Sequence, residues 1–447
     1  MTNDLAAPQT AAGPGLKRVL GTPLLFAFIV GDTLGAGIYT LVGTMATDVG
    51  GVIWLPLVIA LVVALLTAGT YAELITKYPH AGGAARYVDR AFGIPYLSFL
   101  VGFLMMASGI TTAAALANAF AGDYLAALWD VPPIPVALAF IAILTLINLR
   151  GVKESLSANL VASVIEVTGL VIVIVLAAIV FGRGEGDPSR IFEFAPDVPP
   201  LEGAFAASIV AFFSFLGFEA AANMAEEVKD PSRSYPRALF GAIATAAVIY
   251  LLIALGAVVV VPPAELATST GPLLEVVTAS GLAVPGWLFS LIALVAIANG
   301  ALLFMVMASR VGYGLAESGL LPRAFGRVLP KRRTPWVSIL VVAGATMALT
   351  MVGDIGTLAS TTVLLLLLVF LSANVSVLVL KKDRVAHRHF SVPRIVPVLA
   401  IIASIVLLTQ QTGVVWLGTA AYVVIGTVLF FIARFGRRKE RAALRQQ

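Results

Sequence analysis

The sequence contains little charge and no cysteine. Asp, Glu, Lys and Arg make up 12% of the 447 residues, against about a quarter in soluble domains, which argues against a water-soluble globular protein. The absence of cysteine excludes disulfides and thiolate metal sites. There are only three histidines, and no cluster of His and carboxylates suggests a membrane enzyme. We therefore expect a protein that is not an enzyme and that holds neither a metal nor a cofactor.

Hydrophobic residues dominate instead, at 60% of the chain with a mean hydropathy of +0.99. Many apolar runs exceed the length of about 18 residues that is typical of a membrane helix. The predicted fold class is an all-α integral membrane protein with about twelve transmembrane helices. The predicted segments are 18–46, 52–77, 93–120, 134–150, 158–182, 201–227, 237–261, 284–314, 336–351, 355–380, 394–411 and 414–435.

The basic residues predict the orientation of these helices. With the N-terminus in the cytoplasm, all but two of the 29 Lys and Arg residues fall on the cytoplasmic side, the exceptions being Arg183 and Arg190. Such a bias is the positive-inside signal of a plasma (inner) membrane protein, and it accounts for the net charge of +5 without a nucleic-acid partner. We expect residues 1–16 to form a disordered cytoplasmic tail. The basic cytoplasmic tail 436–447 either contacts anionic membrane lipids or merely secures the topology.

Two hydrophobic segments are interrupted by glycine at corresponding places. The first break is Gly35-Ala36-Gly37, and the second is Phe215-Leu216-Gly217. Helices 1–5 (17–182) and helices 6–10 (201–380) each begin with a broken helix, and the odd number of helices inverts the second group. This pattern predicts a 5+5 inverted repeat with broken helices 1 and 6 and a binding site near the midplane of the membrane. Two extra C-terminal helices, 11 and 12 (394–435), lie outside the repeat.

Four motifs in the expected order extend this reading. They are GAGIY in helix 1, YAELITKYPHAGGAARYVDRAFG at 71–93, FSFLGFE followed by EEVKDPSRSYPRAL, and ASRVGYGLAESGLLP at 308–322. On these motifs the chain resembles, over about residues 18–435, the amino acid–polyamine–organocation (APC) superfamily, which has the LeuT-like fold. The resemblance implies secondary active transport of amino acids, amines or polyamines by alternating access.

The ends of the broken helices predict how a substrate binds. Unpaired amides at a helix N-terminus attract an anion, so Ala36, Gly37 and Ile38 can hold a carboxylate, while carbonyls near Thr33 and Leu216 suit an ammonium. The resemblance points to Thr33, Ala36 and Gly37 and to the carbonyls of Phe213 and Leu216, and we expect Phe213 and Phe218 to close over the substrate. The predicted substrate-binding residues are Thr33, Gly35, Ala36, Gly37, Ile38, Phe213, Phe215, Leu216, Gly217 and Phe218. The alternative is that the glycines only permit close helix packing.

Polar residues on other helices are candidates for the side-chain pocket. Ser108 and Thr112 in helix 3 and Asn299 in helix 8 could line it. Such residues also form hydrogen bonds between helices, and that role remains an alternative for each of them.

Three acids lie deep in the predicted membrane without a Lys or Arg at comparable depth: Asp32, Glu166 and Glu219. A charge there is costly, so such residues are usually functional, and we predict that they are candidates for proton coupling. Some proton-coupled relatives carry a Lys at what corresponds to the Glu166 position, so this chain departs from that pattern. Each acid could instead be neutral and bonded to the backbone. Glu73, near the cytoplasmic end of helix 2, is expected to pair with basic groups.

The sequence favours a proton-coupled amino acid symporter over other functions. An amino acid/polyamine exchanger or a polyamine importer remains open, and a substrate sensor on the same fold is a weaker alternative. Three isolated acids do not form the rings of polar or charged residues that line a channel.

Overall fold

The computed structural model describes residues 21–79, 83–151, 155–196, 198–219, 222 and 228–444. In this part of the chain nearly all regular structure is helical. The α-helices are α1 Thr22–Thr33, α2 Gly37–Val49, α3 Trp54–Lys77, α4 Gly83–Phe92, α5 Pro95–Phe120, α6 Asp123–Ala126, α7 Pro133–Arg150, α8 Ser155–Gly182, α9 Pro200–Ser214, α10 Pro231–Val260, α11 Pro263–Thr268, α12 Pro272–Ala279, α13 Gly286–Glu317, α14 Trp336–Val352, α15 Ile355–Leu380, α16 Ile395–Thr409 and α17 Gly413–Leu444.

The lengths and composition of these helices fit a protein that crosses a membrane several times. Among the described residues, eight helices are long and apolar enough to span a bilayer, and α1 and α2 together form one further, bent span. Three shorter apolar helices are α9, α14 and α16. The all-helical membrane class is thus supported, while the count of twelve helices and the inverted repeat stay predictions.

The described residues include only part of the two tails that the sequence predicts. Residues 1–16 lie outside the described residues. Helix α17 does not end at residue 435 but continues to Leu444, so most of the basic segment 436–447 extends the last helix.

Proline begins several of the long helices. Helices α5, α7, α9 and α10 have proline within the first two positions. A proline there loses no hydrogen bond, because the first amides of a helix have no intrahelical partner, and its fixed φ already suits the helix. Helix α15 begins differently: the Asp354 carboxylate accepts a hydrogen bond from the Thr357 amide at 2.8 Å, which caps the helix.

Helix packing places the two interrupted spans at the centre of the protein. Helix α5 packs against α13 and α15, and α1 packs against α10. Helix α9 packs against both α2 and α3. The interrupted ends of α1 and α9 are therefore enclosed by other helices, where protein rather than lipid surrounds the freed backbone groups.

A buried ion pair ties the predicted cytoplasmic end of α3 to the segment after α15. Lys381 donates to the Glu73 carboxylate, and the side chains are only 11% and 1% exposed. The same carboxylate accepts a hydrogen bond from the Val392 amide at 2.8 Å. The expectation that Glu73 pairs with a basic group is confirmed.

A second, more exposed ionic contact lies nearby. The Tyr78 hydroxyl donates to Asp383 at 2.6 Å, and Arg90 donates to the same carboxylate at 2.9 Å. These two donors hold the pKa of Asp383 below its usual value. Burial, with the bond to Asp383, raises the pKa of Tyr78 to about 12. The contact fixes α4 and the end of α3 against the segment after α15.

The two ion pairs should differ in their contribution to stability. We expect Lys381→Met to lower the apparent Tm strongly, because it leaves the buried Glu73 carboxylate without its cation, a loss of about 3–5 kcal/mol. Arg90→Gln should cost less than about 1 kcal/mol, since its pair is exposed. The double variant Glu73→Gln/Lys381→Met should recover much of the loss. Thermal unfolding of the detergent-purified variants measures this, and equal small shifts for Lys381→Met and Arg90→Gln would contradict it.

Candidate functional site

The first break separates α1 from α2. Helix α1 ends at Thr33, where the Leu34 amide still bonds to the Val30 carbonyl, and α2 starts at Gly37 after Gly35 and Ala36. The two helix axes differ by 43°. Glycine is a poor helix former, and two glycines within three residues let the chain leave the helix and begin a new one at an angle.

The second break follows the end of α9. Beyond Ser214 the chain turns, with the Leu216 amide bonded to the Phe213 carbonyl at 3.1 Å. Gly217 then adopts φ +117°, which side-chain-bearing residues rarely reach. Its amide donates to the Glu219 carboxylate at 2.9 Å. The second half of this predicted broken helix falls mainly on residues outside the described ranges.

The two breaks pack directly against each other through their glycines. A Cβ atom on Gly37 would lie 2.9 Å from the Ser214 Cα atom, and one on Gly217 would lie 2.5 Å from the Asp32 carbonyl oxygen. Each glycine therefore contacts the backbone of the other break. The close approach and the interruption have the same cause, because a residue without a side chain permits both.

Tyr250 on α10 connects the ends of the two half-helices. Its hydroxyl lies within hydrogen-bond distance of the Thr33 carbonyl oxygen and 2.9 Å from the Ser214 carbonyl oxygen. A tyrosine hydroxyl has one proton, so it donates to one of these oxygens at a time. Sequence reasoning missed this residue, although a buried tyrosine within the aliphatic run AAVIYLLIAL was a signal that could have indicated it.

A cavity opens where the breaks meet. The residues that line it come from α1, α2, α5, α8, α9 and α13, together with the segments that follow α1 and α9. They are Gly31, Asp32, Thr33, Gly35, Ala36, Gly37, Leu116, Glu166, Phe213, Ser214, Leu216, Asn299, Gly300, Leu303 and Phe304.

Most of the predicted binding residues of the two breaks lie at this cavity. Thr33, Gly35, Ala36, Gly37, Phe213 and Leu216 line it, as do the acids Asp32 and Glu166 and the pocket candidate Asn299. The sequence did not single out the cavity residues Leu116, Leu303 and Phe304, because apolar residues on long apolar helices carry no distinguishing signal.

The remaining candidates lie close by but do not line the cavity. Phe215 packs edge-on against Tyr250 with ring centroids 5.3 Å apart. Phe218 stacks on Phe370 at 5.6 Å and meets Tyr71 edge-on. Ile38 is fully buried within α2, and Gly217 supports the first break as described above.

The two helix 3 candidates make hydrogen bonds within the helical bundle. The Ser108 hydroxyl bonds to the Met105 carbonyl oxygen on its own helix. Thr112 bonds to the Ser108 carbonyl oxygen and to the Thr362 hydroxyl of α15 at 3.2 Å. Both are completely buried, and in this conformation Thr112 joins α5 to α15 while Ser108 bonds within α5. A substrate contact for either stays a prediction.

The three acids occupy different environments. Asp32 and Glu166 line the cavity, whereas Glu219 is bonded to the Gly217 amide at the second break. Asp32 lies within electrostatic range of both Glu166 and Glu219. One oxygen of Asp32 and one of Glu166 have no hydrogen-bond partner among the described residues. Nor does any group of three or more His, Asp or Glu side chains in the described chain have the spacing of a metal site.

A bent, interrupted span that meets the end of another helix at a small cavity, inside a multi-pass membrane protein, is typical of membrane transporters. Comparison with known sequences gives the family. The sequence profile described as "Amino acid permease" matches residues 20–438, and the chain belongs to this family of the APC superfamily.

Relatives within the family differ in what their names say they carry. The chain is 28% identical to the methylthioribose transporter of Bacillus subtilis, over 93% of each chain. It is 25% identical to the branched-chain amino acid permease BcaP of the same organism, over 96% of this chain and 95% of that one. It is 30% identical to the vacuolar cationic amino acid transporter 4 of Arabidopsis thaliana, over 82% of this chain and 64% of that one.

The glycines at the breaks should be intolerant of the smallest side chain. We expect Gly37→Ala and Gly217→Ala each to abolish substrate binding, because the added Cβ would meet the backbone of the other break and push the breaks apart. The matched control is Gly344→Ala in α14, where nothing lies within 4 Å of the new Cβ. Ligand binding by the purified, monodisperse variants measures the effect. Unchanged substrate affinity in a folded Gly37→Ala variant would show that the breaks are not part of the binding site.

Removing the Tyr250 hydroxyl should weaken the contact between the half-helices. We expect Tyr250→Phe to reduce substrate affinity by about threefold to tenfold, which corresponds to the loss of one buried hydrogen bond. Tyr96→Phe is the control, since that hydroxyl bonds to Thr427 away from the cavity. Isothermal binding measurements on both variants test this, and equal affinities would show that the bridge does not shape the site.

Proposed function

We propose that this protein is a secondary active transporter that moves an amino acid across the plasma (inner) membrane by alternating access. The observation that carries the proposal is the meeting of the bent α1–α2 span and the end of α9 at one cavity. Transporters place their substrate where half-helix ends supply unpaired backbone groups. The family supports amino acid transport as the activity.

The half-helix ends suit both charged groups of an amino acid. Helix α2 begins at Gly37, so the amides at its start have no intrahelical acceptor and can hold the carboxylate. The carbonyls of Phe213 and Leu216, at the end of the other half-helix, can accept from the ammonium. The cavity contains both residues together with Ala36 and Gly37. This arrangement favours an intact α-amino acid over a molecule with only one of the two charges.

We further propose that transport is coupled to protons and that Glu219 carries the coupling proton. Its carboxylate is 2% exposed and bonded to the amide of the glycine at the second break. Protonation changes its charge at the point where a broken helix has to move. Each 1.4 kcal/mol of free-energy difference between two conformations changes the ratio of their populations tenfold. A modest effect of protonation on this difference is therefore enough to change which conformation is populated. Glu166 and Asp32 remain candidates for the same role.

The orientation follows from the charge bias. We propose that both termini face the cytoplasm, since nearly all Lys and Arg then lie on that side. The Glu73–Lys381 pair would in that case close the cytoplasmic end of the protein.

Exchange is the second candidate mechanism. An exchanger needs substrate on the opposite side of the membrane rather than a proton gradient. A polyamine importer is a different alternative, and its substrate would offer no anion to the amides at the start of α2. The enclosed cavity with its half-helix ends supports substrate binding equally in a symporter, an exchanger or a sensor, so coupling has to be measured.

The decisive experiment is amino acid uptake into proteoliposomes with an imposed inward proton gradient. We expect the wild type to accumulate substrate and an uncoupler to stop accumulation. Glu219→Gln should retain exchange, because the amide oxygen can still accept from Gly217, but it should lose accumulation driven by the gradient, because it cannot release a proton.

Glu202→Gln is the matched control, because Glu202 is an exposed acid in the first turn of α9, the helix that precedes Glu219. It should behave as the wild type. If Glu219→Gln still accumulates substrate in response to the proton gradient, another group carries the coupling proton. Uptake that requires internal substrate and ignores the gradient would show an exchanger, and binding without any flux would show a sensor.

A further inference from the structure

Four buried oxygens at the cavity have no hydrogen-bond partner among the described residues. Asp32 Oδ2 and Glu166 Oε1 belong to carboxyl groups, and Thr33 Oγ1 and Ser214 Oγ belong to hydroxyls, which can both donate and accept. The side-chain amide of Asn299 donates to Asn159 at 2.9 Å. None of the described residues that line the cavity is a Lys or Arg.

Buried polar atoms are normally paired, so the two carboxyl oxygens, which accept but do not donate when ionised, indicate the chemistry of a ligand that fits this cavity. An ammonium offers three donors and a guanidinium five, and neither has an acceptor. The two carboxylates also favour a positively charged ligand, because burying an ionised carboxylate without a cation costs free energy. The ligand that is complementary to this cavity is therefore a cation that donates several hydrogen bonds.

The close packing of α1 against α8 brings the two acids together. A Cβ atom on Gly31 would lie 2.9 Å from the Ser163 Cβ atom, so the absence of a side chain at Gly31 lets α1 pack against α8. Asp32 is the next residue on α1, and Glu166 is one turn beyond Ser163 on α8, on the same helix face. The close contact therefore brings the two acids to one cavity.

We propose that Asp32 and Glu166 form a subsite for a positively charged side chain, and that the substrate is an amino acid of the lysine or arginine type. The proposal rests on amino acid binding at the breaks, and it adds the class of side chain. The α-carboxylate is held at the start of α2, which a polyamine could not use. Leu116, Leu303 and Phe304 at the same cavity supply an apolar wall for the methylene groups of the side chain.

The first test uses the wild-type protein and changes only the ligand. Lysine, Nε-acetyl-lysine and norleucine share the α-amino acid group and the aliphatic stem, but only lysine carries the side-chain charge. We expect lysine to bind at least tenfold more tightly than either analogue in isothermal titration, and to be the substrate transported into proteoliposomes. Equal or tighter binding of norleucine would overturn the subsite.

The second test removes one carboxylate at a time. Asp32→Asn and Glu166→Gln should each weaken lysine binding at least tenfold and change norleucine binding less than threefold. Asp48→Asn is the matched control, since Asp48 lies on α2 of the same interrupted span but not at the cavity. Unchanged lysine affinity in either acid variant, with size-exclusion profiles like that of the wild type, would exclude that acid from the subsite.

The outcomes separate this proposal from the proposed function. Transport of leucine or another neutral amino acid, without lysine or arginine, would leave the permease function standing and overturn the cationic subsite. Putrescine or spermidine that competes as well as lysine would also overturn it, because the α-carboxylate would then contribute nothing. If none of the twenty amino acids binds or is transported, the proposed function itself fails.

Discussion

The structure depends on one constraint, the need of every backbone polar group inside a membrane for a partner. A helix satisfies its own amides and carbonyls, and a break releases several of them at once. Here each break is covered by the other, with Gly37 against the backbone of Ser214 and Gly217 against that of Asp32. The Tyr250 hydroxyl donates to one carbonyl oxygen at a time, that of Thr33 or that of Ser214. The amides and carbonyls that remain can bind a ligand.

In the proposed transport cycle, the same arrangement couples binding to movement. The two breaks contact each other through Gly37 and Gly217, so a change at one break reaches the backbone of the other. The acids lie at this junction, with Glu219 on the second break and Asp32 and Glu166 at the cavity. In the proposed transport cycle, charge that arrives with a proton or a substrate acts where the half-helices meet, and rigid packing elsewhere transmits the effect. The buried Glu73–Lys381 pair joins α3 to the segment after α15.

Membership in the amino acid permease family does not determine the substrate. Relatives that match most of this chain carry names that refer to a sulfur-containing sugar, branched-chain amino acids or cationic amino acids. In the proposed function, the half-helix ends recognise the part of the substrate that amino acids share. The cavity wall then discriminates between side chains, and a buried carboxylate there changes the preferred substrate more than an apolar substitution does.

The sequence by itself determined the membrane class, the positions of the apolar segments and the two breaks, because hydropathy and glycine act locally along the chain. It also indicated the three unpaired acids, since an ionisable residue inside an apolar run is visible without coordinates. Only the tertiary structure decided that Asp32 and Glu166 share a cavity while Glu219 bonds to the backbone, and that Tyr250 reaches both half-helix ends. The bond of Glu219 is local, whereas the shared cavity of Asp32 and Glu166 and the contacts of Tyr250 join residues on different helices. They depend on how closely the helices pack, which local pattern does not encode.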